Sequence, residues 1–216
     1  MPRAVIFDLD HTLIDRRPAW RYALEQAVSA VTGQRVDAGP LVDEYHQRPV
    51  PHAIALLVPT ATDRPECARL WHEMFYRSAL KRLLVHEGVG MGLDRLKSAR
   101  VEVGVVTREL HRDARRQVES TGLDRFLSVM SATAAEAPWQ VTERLADCLA
   151  FLEYRPADCV FVSADAPDLA AAADAGFTPF AAAWVPTETP APYPSIPTAH
   201  DAAPTLAAYW PSVTRA

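Results

Sequence analysis

Ala4-Val5-Ile6-Phe7-Asp8-Leu9-Asp10-His11-Thr12-Leu13 decides the fold. Four apolar residues stop abruptly at a carboxylate. A continuous apolar run this short, closed by a polar residue, reads as a strand buried on both faces. Asp8 and Asp10 leave the end of that strand together. Two such carboxylates can divide labour: one attacks as a nucleophile while the other donates and then accepts a proton. Thr12 can hydrogen-bond within the turn and fix its shape. The bland alternative is a pair of surface aspartates beside a helix cap. A buried strand running directly into an Asp-x-Asp-x-Thr stretch disfavours it.

Further runs repeat the pattern downstream. Val101 to Val106 ends at Thr107, and Cys159 to Val162 ends at Ser163. A weaker run, Phe180 to Val185, follows Gly176, and Phe126 to Met130 is a further candidate strand. Helical patterns lie between them. Leu93 and Leu96 share a face; Ala114, Val118 and Thr121 precede Gly122; Val141, Leu145, Leu149 and Leu152 form one stripe after Pro138. Asp168 to Ala175 is alanine-rich and stops at Gly176. Strands alternating with helices predict an α/β fold, a Rossmann-like doubly wound parallel sheet. Residues 14–87 break the rhythm, with helical stretches near Trp20–Val31 and Glu66–Leu84 and a proline-bearing middle (Pro49, Pro51, Pro59). They read as an inserted α-helical cap, leaving 1–13 and 88–216 as the α/β core. The tail from Pro179 holds eight of the 18 prolines and reads as an extended wrap before a short helix near Thr205–Trp210.

Composition limits the function. The chain has 216 residues, 49% of them hydrophobic, and a net charge of −5. That size supports one domain with an insertion. Mild acidity disfavours a general nucleic-acid surface. No apolar run is long enough to span a bilayer, and MPRAVIFDLD has no signal-peptide core, so the expected location is cytoplasmic. Cys67, Cys148 and Cys159 form no CxxC pair and read as small buried residues. His46, His52, His72 and His86 show no HExxH spacing. Only two of the 22 basic residues are lysines, Lys81 and Lys97.

In an open parallel sheet, ligands bind beyond the carboxyl ends of the strands, near the switch in strand order. The residues to inspect are therefore Asp8 and Asp10, Thr107 and Arg108, and Ser163, Asp165 and Asp168. On these residues the chain resembles the haloacid-dehalogenase-like hydrolases. Asp8-Leu9-Asp10-His11-Thr12-Leu13 resembles their first motif, and Val105-Val106-Thr107 the second. Val162 to Gly176 resembles the region of the fourth, and 14–87 looks like the helical cap that one subgroup inserts after the first strand. The resemblance implies phosphomonoester hydrolysis of a small metabolite through an aspartyl-phosphate on Asp8, with Asp10 protonating the leaving group and then activating water. It implies that Thr107 holds a phosphoryl oxygen. It also implies Mg²⁺ bound by Asp8, the backbone carbonyl of Asp10 and the acidic fourth motif, where Asp168 matches and Asp165 stands one position late.

Two positions depart from that pattern. The third motif of the family is a lysine, and Ala137 stands there, before Pro138. Ala164 replaces the first acid of the fourth motif. Removing one preorganised charge-stabilising donor costs on the order of 10²–10³ in rate. Arg108 is the candidate substitute, within reach of a phosphate, with Arg112 a more distant option. Trp139, beside the vacated position, reads equally as a residue of the site's mouth and as packing at a helix start. The cap aromatics Trp20, Tyr22, Tyr45, Trp71, Phe75 and Tyr76 fit either an apolar substrate pocket or a cap core. Besides an Mg²⁺-dependent phosphatase, two readings stay open. One is a repurposed protein that binds a small molecule or uses Asp8 and Asp10 for non-phosphoryl proton transfer. The other is an interaction module using the proline-rich tail. Substrate identity and oligomeric state are not legible.

Overall fold

The computed structural model describes residues 2–42, 50–133, 139–187 and 191–213. The strands are β1 (Ala4–Asp8), β2 (Ile14–Asp15), β3 (Leu84–Val85), β4 (Glu102–Leu110), β5 (Val129–Thr133), β6 (Cys159–Ser163), β7 (Thr178–Ala182) and β8 (Ser195–Ile196). The helices are α1 (Arg17–Thr32), α2 (Gly39–Val42), α3 (Val50–Leu57), α4 (Arg64–Met74), α5 (Val89–Ser98), α6 (His111–Thr121), α7 (Val141–Leu152), α8 (Ala166–Asp174) and α9 (Ala202–Val213). The chain divides into two compact units: Met1–Ile14 with Val85–Ala216, and Asp15–Leu84.

The larger unit is built on a six-stranded, Rossmann-like parallel sheet in the order β5-β4-β1-β6-β7-β8. All five residues of β1 and of β6 are buried, as two-sided cover requires. On one face Ala4, Ile6, Val106 and Phe161 pack with Val141, Leu145 and Cys148 of α7 and Leu169 and Ala172 of α8. Strand alternation turns Val5, Phe7, Val103 and Val105 to the other face. Helix α6 stops where Gly122 takes a left-handed φ of 68°. Cys148 and Cys159 are free and buried, and burial pushes their thiols up to about 12 and about 11. No helix among the described residues is long and apolar enough to cross a membrane.

Several boundaries differ from the sequence reading. Strand β4 runs on past Thr107 to Leu110, with a register shift that marks a bulge. The expected strand at Phe126–Met130 begins only at Val129, because Asp124–Phe126 forms a 3₁₀ turn. The proline-rich tail contributes the short edge strand β8, paired with β7, and then α9. The order reversal falls between β4-β1 and β6: the chain goes from β1 outward through β4 to β5, then returns to the other side of β1. Asp8 and Ser163 end β1 and β6, and Thr107 stands beside them on β4, at the register shift.

The smaller unit is helical. Helix α1 opens with Pro18 in its first turn, buries Trp20, Ala23, Leu24, Ala27 and Val28, and packs against α4. Trp71, Phe75 and Tyr76 are buried, with Trp71 and Phe75 stacked at 5.3 Å. Together with Trp20 they build this unit's core, so these four pack as core residues, while Tyr22 is half-buried. Tyr45, His46 and Pro49 lie outside the described residues.

Candidate functional site

The turn after β1 is shaped before any chemistry is considered. His11 adopts a left-handed φ of 62°, a conformation uncommon for a residue with a Cβ. Its backbone N–H donates to the Ile14 carbonyl at 3.0 Å, and the Thr12 hydroxyl accepts from the Ala164 N–H at 3.0 Å. Trp184 Nε1 donates to the Thr12 carbonyl at 2.8 Å. Thr12 is fully buried. These bonds tie the β1 turn to the β6 turn and hold Asp8 and Asp10 against both.

Each carboxylate then receives defined partners. Ser163 Oγ donates to Asp8 Oδ2 at 3.1 Å, and the Asp165 N–H donates to Ser163 Oγ at 2.9 Å. Asp10 Oδ2 accepts from Thr107 Oγ1 at 2.8 Å and from the Arg108 N–H at 3.0 Å. Asp8 Oδ1 is buried with no hydrogen-bond partner. Burial first, then the charges of Asp10 and Asp168, push the Asp8 carboxyl well above the usual range, against the opposing pull of Arg108. The Asp8 carboxyl therefore holds its proton to higher pH than a free aspartate does.

Arg108 and Trp139 complete the group. Arg108 Nη2 donates to Asp168 Oδ2 at 2.7 Å and to Asp165 Oδ2 at 3.2 Å. Its guanidinium carbon lies 4.9 Å from the Trp139 ring centroid. Trp139 Nε1 faces both oxygens of Asp168, at 3.2 and 3.3 Å. Asp165 Oδ1 caps α8 by accepting the Asp168 N–H at 3.1 Å. The structure thus brings together Asp8, Asp10, Thr107, Arg108, Asp165 and Asp168. Ser163, Thr12 and Trp139, each singled out in the sequence, join them. Ser163 was marked by its place at the end of an apolar run. Nothing local in the sequence pairs Trp139 with Asp168.

No curated protein matched the chain. The family model described as "Haloacid dehalogenase-like hydrolase" matches residues 5–182. The chain belongs to the haloacid dehalogenase-like hydrolases. Solved structures share this hydrolase's fold. A HAD-superfamily hydrolase of subfamily IA, variant 1, from Geobacter sulfurreducens is 22% identical with a TM-score of 0.79, covering 95% of this chain and 96% of that one. A Thermotoga maritima protein assigned as a beta-phosphoglucomutase is 19% identical with a TM-score of 0.79, over 96% and 99%. CbbY from Rhodobacter sphaeroides, solved in complex with phosphate, is 17% identical with a TM-score of 0.71, over 93% and 96%.

The superfamily generally uses Mg²⁺, and the unpartnered Asp8 Oδ1 is an oxygen such an ion could take. The other expected ligands of this hydrolase do not fit the ion. Both oxygens of Asp168 face the Trp139 indole N–H, and one also pairs with Arg108. Asp165 is spent on the helix cap and on Arg108. Ala164 offers no side-chain oxygen. Among the described residues no group of three or more histidine, cysteine or acidic side chains is arranged to hold a metal. Of the expected set Asp8, Asp10, Asp165 and Asp168, the Arg108 guanidinium faces Asp165 and Asp168, while Asp8 Oδ1 stays open. Thr107 gives its proton to Asp10, and Arg108 pairs with Asp165 and Asp168. Ala137 and Pro138 lie outside the described residues. Of the two lysines, Lys97 Nζ is bound to the Arg125 carbonyl at 2.7 Å, and Lys81 lies in the helical unit.

Proposed function

We propose that this hydrolase cleaves phosphate monoesters of a small metabolite, with Asp8 as nucleophile and Asp10 as acid and base. One observation carries the reading. Ser163 fixes Asp8 Oδ2, while Asp8 Oδ1 is left without a partner, next to a second carboxylate held by Thr107. An oxygen from Asp8 forms a bond to phosphorus as the ester P–O bond breaks. Asp10 enters this step protonated and gives its proton to the departing alkoxide, while Asp8 attacks as the carboxylate. Asp10, now a base, takes a proton from water, whose oxygen attacks phosphorus. The Asp8–phosphorus bond breaks, inorganic phosphate leaves, and both carboxyl groups return to their starting state. The Arg108 guanidinium supplies the positive charge. The helical unit would act as the cap that selects the substrate. The phosphate complex of the Rhodobacter sphaeroides relative supports the choice of ligand.

The test is hydrolysis of an aryl phosphate by wild type and by Asp8→Asn. Wild type should turn over and the variant should lose at least about a thousandfold, as removal of a nucleophile does. Equal rates would sink the proposal. Ala164 favours a second reading, a repurposed fold that binds phosphate without hydrolysing it. Binding of inorganic phosphate by wild type with no turnover would establish that reading instead.

A further inference from the structure

Arg108 is held from three directions. Asp168 accepts from its Nη2 at 2.7 Å, Asp165 accepts from the same nitrogen at 3.2 Å, and the Trp139 ring lies 4.9 Å from its guanidinium carbon. Arginine suits this position because its planar, permanent cation can pair with carboxylates and stack on an aromatic face at once. Trp139 closes the triangle by donating to the carboxylate that Arg108 binds. The result is an acidic cluster whose counter-charge is covalently part of the chain. A divalent ion of the Mg²⁺ type needs about six oxygen ligands at roughly 2.0–2.1 Å. Here the oxygens of Asp165 and Asp168 are turned to Arg108, Trp139 and a helix N-terminus.

We infer that Arg108, positioned by Trp139, is a built-in replacement for the divalent cation, so that this site binds its anionic ligand without a metal. The inference concerns the cation alone. It stands whether or not Asp8 becomes phosphorylated, and it is read by binding. Displacing the guanidinium frees Asp165 and Asp168 beside Asp8. Neutralising residue 108 removes the cation that faces these carboxylates, and a divalent ion should then bind there more tightly than to wild type. Trp139 is a positioning residue: without its ring, Arg108 loses its stacking surface and metal competes better for the same carboxylates.

The experiment is calorimetric titration of Mg²⁺ alone into wild type, Arg108→Gln, Arg108→Ala, Arg108→Lys and Trp139→Ala, with melting temperatures recorded with and without Mg²⁺. Wild type and Arg108→Lys should show no saturable binding in the millimolar range and no Mg²⁺-dependent shift. Arg108→Gln and Arg108→Ala should gain at least tenfold in affinity and melt higher in Mg²⁺. Trp139→Ala should fall between, and Trp139→Phe, which keeps a ring to stack on, should return towards wild type. Should the alanine variant fail to fold, the nearly isosteric glutamine variant gives the same readout. Binding by wild type as tight as by the neutral variants overturns the inference, and so does a failure of both neutral variants to gain affinity. Loss of aryl-phosphate hydrolysis in wild type would leave this result untouched, so the two readings fail separately.

Discussion

Replacing Arg108 with alanine should lower stability by an amount that grows with pH. The magnitude follows from exposure. The Asp168 side chain is 9% exposed and the Arg108 side chain 42%, so the pair lies between the buried and surface cases. Breaking a fully buried pair costs about 3–5 kcal/mol, whereas a surface pair contributes about 0–1 kcal/mol. A half-buried pair should cost about 2 kcal/mol. For a protein of this length that lowers the melting temperature by roughly 4–8 °C. The pH dependence follows from Asp168. Burial first, then the Asp165 charge, raise its carboxyl above the ordinary aspartate value, while Arg108 and Trp139 pull it back. Without Arg108 it rises further. A carboxyl with a raised value contributes stability that is fully present below the ordinary aspartate value. That stability is lost as pH climbs through the raised one. The gap between variant and wild type should therefore be small near about pH 4 and widest near about pH 8. Calorimetric melts at both pH values measure it. A gap that is absent, or unchanged between them, would refute the reasoning.

Three further outcomes can be checked by thermal melts. Thr12→Val keeps the shape of a fully buried side chain but leaves the Ala164 N–H without its acceptor, and should cost about 1–3 kcal/mol. A Cβ at Gly92 would stand 2.0 Å from the Ala199 carbonyl oxygen, so Gly92→Ala must push α5 off the chain before α9 and should cost about 3 kcal/mol. Asp8→Asn removes a carboxyl whose value burial and neighbouring charge hold high; it should raise the melting temperature near neutral pH and lose that advantage below the ordinary aspartate value.

The parts of this fold legible in the sequence are those where one physical demand dominates. Strands β1 and β6 are covered on both faces, so all but the last residue of each is apolar, and that polar last residue marks the site. Asp8, Asp10 and Thr107 were readable for that reason. Strand β8 was not, because an edge strand of two residues in a proline-rich segment carries no periodic signal. The extension of β4 to Leu110 depends on a bulge. The clamp on Arg108 was hidden for a different reason. Trp139 meets Asp168 across 29 residues, and Ser163 meets Asp8 across 155, and only the parallel crossovers bring them together. The missing lysine could be seen in the sequence, whereas the arginine's actual partners could not.

The central claim is that Asp8 is the nucleophile of a phosphoryl-transfer site whose counter-charge is Arg108. The most direct measurement is rapid acid quenching of wild type turning over a phosphorus-labelled aryl phosphate in excess chelator, followed by mapping of the labelled peptide. The account predicts label on Asp8, released by hydroxylamine as an acyl phosphate should be, and none in Asp8→Asn. Steady turnover in chelator with no label on Asp8, or turnover that appears only when Mg²⁺ is restored, would contradict it.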